Sequence, residues 1–174
     1  MEGVSFADML AGGHPNSLGR TVEVVAVVLA DRTQFERLYQ CYSDQDEVVR
    51  LRTSSAMKRL WRADPDWFAA HIERFISEIA YIDQPSARWT MAQMVAELDG
   101  YLTDDQRMRA VAMLRRNLAE SRDWIVIIQS LRTLAMWAKE DAELCDWLIP
   151  QLMHFSNDPR RSVSGNARKL LLAL

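Results

Sequence analysis

Cysteine is scarce in this 174-residue chain: there are two, Cys41 and Cys145, far apart and outside any Cys-x-x-Cys pair. That excludes a disulfide scaffold and a thiolate metal site, and it fits a reducing, cytoplasmic setting. Six glycines and five prolines are too few for an all-β chain with many tight turns. The longest unbroken apolar run, Val24 to Ala30, falls far short of the roughly 20 residues that span a bilayer. The opening Met1-Glu2-Gly3 has no basic region and no long apolar stretch behind it, so no signal peptide is expected. Histidine is sparse as well. His14, His71 and His154 show no HExxH, HxxxH or HxE spacing, so no metal or other cofactor is expected. Residues 13–21 contain Gly19-Arg20-Thr21, but the glycine spacing is wrong and no strand precedes it, which excludes a phosphate loop.

What is present is 49% apolar and 26% charged residues with a net charge of −3, enough for one domain with a sizeable core. Internal repetition organises it. Asp66-Trp67-Phe68 and Asp146-Trp147-Leu148 align without gaps, and each continues to a phenylalanine, Phe75 and Phe155. Their separation holds two units of about 40 residues, the size of a helix pair. A second set of stretches shares one apolar frame: Val49, Thr53, Ser54 and Met57; Ala87, Met91, Ala92 and Val95; Val126, Ser130, Leu131 and Leu134; Val163, Ala167 and Leu171. Small residues alternating with large ones at this spacing suit close helix packing. Partner helices are expected near 32–42, 66–80, 103–119 and 141–155, with Thr103 to Gln106 as a capping box. Prolines 15, 65, 85 and 159 fall at helix boundaries, and Pro150 falls inside a helix, where a bend is expected. The β-branched stretch 22–30 is read as helix from its register. Being apolar all round, it is expected to be buried on both sides, beneath Ser5–Ala11.

The opening acid or Asp-Pro, the Val49-Arg50 pair, the small steps Thr53-Ser54 and Met91-Ala92, and Pro150 within a first helix together resemble HEAT repeats. The resemblance covers roughly residues 14–174, with 1–13 as an N-terminal capping segment. The arginine of Arg50 and Arg88 is missing at Ile127 and Ser164. It implies a single all-α domain, an α-α superhelix (HEAT-like solenoid) of about ten helices in four to five pairs. Members of that family mostly bind other macromolecules.

Helical geometry then locates an outward face of the second helices, expected to be concave. It carries Leu51, Trp89 and Ile128; next Ser55, Gln93, Arg132 and Lys169; then Arg59, Glu97 and Met136, with Arg62 and Lys139 beyond. An apolar row beside a polar-to-basic row fits a groove for a protein or peptide segment, with Trp89 as its anchor. The expected function is therefore a non-catalytic binding or scaffold module. The alternative is nucleic-acid binding, or DNA repair in the manner of the HEAT-like alkylpurine DNA glycosylases. It draws on two basic sets: Arg50, Arg52, Lys58, Arg59 and Arg62; and Arg107, Arg109, Arg115 and Arg116. Cys41 and His71 read as packing and surface residues. Leu170, Leu171 and Leu174 suit the core, whereas Leu172 points elsewhere, so the C-terminal helix is a candidate surface for a second copy.

Overall fold

The structure is a computed structural model describing residues 4–14 and 17–174. Among them lie eleven α-helices and no strand. The chain divides into two compact units, Met1–Thr90 and Met91–Leu174. Among the described residues no helix is long and apolar enough to cross a membrane. Pro15 and the start at Met1-Glu2-Gly3 lie outside the described residues.

The first unit contains α1 (Phe6–Leu10), α2 (Thr21–Ala30), α3 (Phe35–Gln40), α4 (Glu47–Ala63), α5 (Pro65–Ala69), α6 (Ile72–Ser77) and the beginning of α7 (Pro85–Glu97). Carboxylates start these helices as their positions imply. Asp46 accepts the Val48 N–H at the start of α4, and Asp64 accepts the Trp67 N–H at the start of α5. Ser5 and Asp8 form a capping box on α1. The stretch 22–30 is helical and α1 does pack on it, but α2 is covered on one side only. Thr21, Val24, Val25 and Val28 are buried, while Val22 and Val27 remain 59% and 41% exposed. The reason is period: a helix presents one i, i+3, i+4, i+7 stripe to its neighbours, and no described element covers the opposite stripe.

The centre of this unit is a cation. Arg52 of α4 is 2% exposed and has no carboxylate beside it among the described residues; its guanidinium is held mainly by main-chain oxygens. Nη1 donates to the carbonyls of Leu10 (2.6 Å), Ala11 (3.1 Å) and Gly12 (2.6 Å). Nε donates to Ser17 O, and Nη2 to His14 O and Ser17 Oγ. Two of these carbonyls end α1, where orphan acceptors and the negative helix end favour a cation. The chain wraps the guanidinium closely at Gly19, whose φ of +51° and approach leave no room for a Cβ, which would sit 2.9 Å from Arg52 Nη1. Arg52 is thus not part of an exposed basic stripe. Arg50 is also engaged, donating to Gln84 Oε1 and to the carbonyls of Asp44 and Gln45. Arg88 of α7 pairs with Asp83 at 3.1 Å.

An aromatic cluster fills the α3–α6 region. His71, expected on the surface, is half-buried and stacks on Phe35 with ring centroids 4.0 Å apart, packing also edge-on against Trp67 and Phe68. Burial, then the nearby Arg74 cation, lowers its pKa below the usual 6.5. Arg32 lies over Trp67 at 4.2 Å and Arg74 over Tyr39 at 3.6 Å.

In the second unit α7 ends and α8 (Asp104–Glu120), α9 (Trp124–Ala138), α10 (Ala142–Phe155) and α11 (Arg161–Leu171) follow. The Thr103–Gln106 capping box is formed, and Asp123 and Asp141 cap α9 and α10. Helix α10 continues through Pro150. The expected frame is buried in α4 (Val49, Thr53, Ser54 and Met57), α7 (Ala87, Met91, Ala92 and Val95) and α9 (Val126, Ser130, Leu131 and Leu134), and in α11 at Val163 and Ala167 but not at Leu171. The C-terminal leucines depart from expectation. Leu170 and Leu171 are only half-buried and Leu174 is 39% exposed, because α11 ends at Leu171 and the chain beyond it leaves the layer. Leu172 is 89% exposed.

Two outcomes follow from the first unit. Arg52→Met removes the donor to the buried Leu10 carbonyl and to four part-buried ones and should lower stability by about 3 kcal/mol, read as a drop in the urea midpoint. His71 makes stability depend on pH in one direction. Above about pH 7 both folded and unfolded forms are neutral; as pH falls below about 6.5 the unfolded chain takes the proton first, so stability falls until the lower folded pKa is passed. His71→Phe should remove that portion of the slope in denaturant titrations between about pH 7.5 and 5.5.

Candidate functional site

The residues expected to line a groove keep their helical spacing. In the first unit Leu51, Ser55 and Arg59 are half-buried along α4 with Arg62 exposed beyond them, and Trp89 of α7 is half-buried. Arg59 folds back on its own helix, donating from Nη1 to Ser55 O and Oγ at 3.0 and 2.6 Å. In the second unit Gln93 is half-buried and Glu97 exposed on α7. On α9, Ile128 is only 4% exposed and offers no surface, whereas Arg132 and Met136 are exposed. Ile128 is covered because α9 is packed on nearly every side. Arg132 is brought to Asn166 of α11, donating from Nε and Nη2 to Oδ1 at 3.1 and 2.7 Å.

A different surface of the second unit is concave. Helices α8 and α10 both pack on α9, and a recess of about 800 Å³ opens between them over the end of α9. Its apolar floor comes from Met108, Val111 and Ala112 of α8, Trp137 of α9 and Leu144 of α10. Met108 is 65% exposed. Asp104 on α8 and Glu140, Asp141 and Glu143 around the start of α10 form an acidic rim. Asp141 spends one oxygen on the Leu144 N–H. The carboxylates of Asp104, Glu140 and Glu143 have no hydrogen bond or ion pair among the described residues.

The second basic set on α8 is held down around this recess rather than displayed. Arg107 pairs with Asp99 at 3.3 Å and lies over the Trp137 ring at 5.2 Å, while the Trp137 Nε1–H donates to the other Asp99 oxygen at 2.8 Å. Arg109 pairs with Asp105 at 2.9 Å. Arg115 lies over the Trp147 ring at 4.3 Å and so bridges the α8 and α10 walls. Such cation–ring contacts contribute about 0.5–2 kcal/mol each, depending on how well they are desolvated. Trp147 and its repeat counterpart Trp67 thus each carry an arginine.

The recess has a sequence signature that periodicity search for core positions passes over. Helix α8 has two apolar stripes: Ala110, Met113, Leu114 and Leu118, which are buried, and Met108, Val111 and Ala112, which face the recess. A surface helix needs only one. The rim carboxylates carry a weaker signal, since capping and the helix dipole already explain acids at helix starts.

No group of three or more potential metal ligands occurs among the described residues. Cys41 is buried, and burial pushes its thiol up to about 11, away from a reactive thiolate. Burial also raises the phenols of Tyr39 and Tyr42, which sit in the aromatic cluster. No protein family, curated protein or solved structure matches this chain.

Because the Met108 side chain projects into the open recess, Met108→Glu should leave the thermal midpoint nearly unchanged, within about 0.5 kcal/mol of stability. Thermal melts of the two proteins side by side check this.

Proposed function

We propose that this chain is a non-catalytic recognition module, a short HEAT-like solenoid that binds a segment of another protein. The recurrence of one buried frame through α4, α7, α9 and α11 supports a repeat architecture, and such arrays expose surfaces rather than enclose active sites. The observation that carries the reading is the recess between α8 and α10, with its apolar floor and charged rim. Ligand pockets run from about 300 to 1,000 Å³, so it has room for a few side chains of a docked segment. The floor supplies affinity through burial and the rim supplies orientation.

The α8–α10 recess replaces the row from Leu51 to Met136 as the preferred surface, since Ile128 is buried and Arg59 and Arg132 are engaged within the protein. Internal engagement of Arg50, Arg52, Arg107 and Arg109 weighs against the nucleic-acid alternative.

Selection from a displayed random-peptide library against the intact protein tests the reading. Selected peptides should lose about tenfold or more in affinity for Met108→Glu. Equal binding to the wild type and to Met108→Glu by every selected peptide would overturn it.

A further inference from the structure

We infer that the segment taken by the α8–α10 recess is cationic and amphipathic, with lysine or arginine interspersed among apolar residues. This rests on the recess being the binding surface, and it names the chemistry of the occupant.

Charge complementarity is the ground. Four carboxylates line the recess against two guanidiniums, Arg107 and Arg115. Arg107 is matched by Asp99, which lies outside the lining, and Arg115 is spread over the Trp147 ring. The rim therefore carries an uncompensated negative potential. Asp104, Glu140 and Glu143 have no partner of their own among the described residues, so an incoming ammonium or guanidinium need break no existing ion pair. Within a concave, partly apolar site their attraction for a cation exceeds that of the same carboxylates on an open surface.

The floor decides against a purely ionic guest. Met108, Val111 and Ala112 present apolar surface that a compact hydrated cation leaves wet. A lysine or arginine can lay its methylene stem there while its head reaches the rim. Neighbouring apolar side chains of the same segment would cover the remainder, and methionine adapts its shape to varied guests. Phosphate-bearing partners are disfavoured by the same rim, since they would meet carboxylates before any open guanidinium.

The test uses the full-length chain and three fluorescent peptides with identical apolar positions, carrying lysine, glutamine or glutamate between them. Anisotropy titrations are run at about 50 and 300 mM salt on the wild type, on Glu140→Gln/Glu143→Gln and on Met108→Glu, with circular dichroism melts confirming that each variant is folded. The lysine peptide should bind about tenfold or more tightly than the glutamine peptide and weaken at higher salt. The double glutamine variant should erase that preference while leaving the glutamine peptide unchanged. If the glutamine or glutamate peptide binds as well as the lysine peptide, and Met108→Glu still weakens it, the charge inference is overturned and the recess reading stands. If Met108→Glu affects none of the peptides, the recess reading itself fails. If spermidine displaces the lysine peptide at equal concentration, charge alone suffices and the amphipathic segment is overturned.

Discussion

A helix that is apolar around most of its circumference is stable in water only when other helices cover it, and α9 sets this demand for the second unit. Ten of its fifteen residues are buried, and α8, α10 and α11 all lie against it. Polar groups on α9 are tied in the same way: Asn117 of α8 donates to Ser130 Oγ, and Thr133 Oγ1 donates to the Ala92 carbonyl and to its own helix. Helices α8 and α10 both pack on α9 without closing fully against each other. The recess is what remains between α8 and α10, with the last turn of α9 as its base. Its existence is thus a packing consequence, and its chemistry comes from which residues α8 and α10 happen to turn toward it.

Arginine illustrates how one residue type is given different work by its surroundings. Arg52 is buried without any acid, because five main-chain carbonyls and a hydroxyl take its donors. A planar fork of five N–H groups can satisfy itself this way, whereas the three donors of lysine cannot reach so many acceptors. Arg115 lies flat on an indole instead, and Arg160 grips Asp158 at 2.6 Å while donating to the Arg122 carbonyl that precedes α9. The hydrogen bonds from Arg160 lower the Asp158 carboxyl to about 2. These side chains join segments distant in sequence.

Local signals were legible wherever the physics is local. Thr103 caps α8 as its spacing from Gln106 predicts, because a cap needs only the next three residues. The common frame from Val49 to Ala167 is buried because helical period alone decides which positions share a side. Where the reading failed, distance in sequence was the reason. Ile128 was expected to face outward, but a helix surrounded by three others has little outward face. Val22 and Val27 were expected to be covered, but no second layer of described residues reaches them. His71 was expected on the surface, and its stack on Phe35 joins elements that no spacing rule connects.

Composition, caps and period determined by themselves that this chain is helical, where several of its helices begin, and which stripe of α4, α7 and most of α9 is buried, since those properties depend on neighbours a few residues away. Whether a given arginine would be buried, stacked or free, and that Met108, Trp137 and Glu143 would meet around one recess, was decided only in three dimensions. Acids at a helix start and a second apolar stripe each have a sufficient local explanation. Only the shared packing of α8 and α10 on α9 sets them side by side.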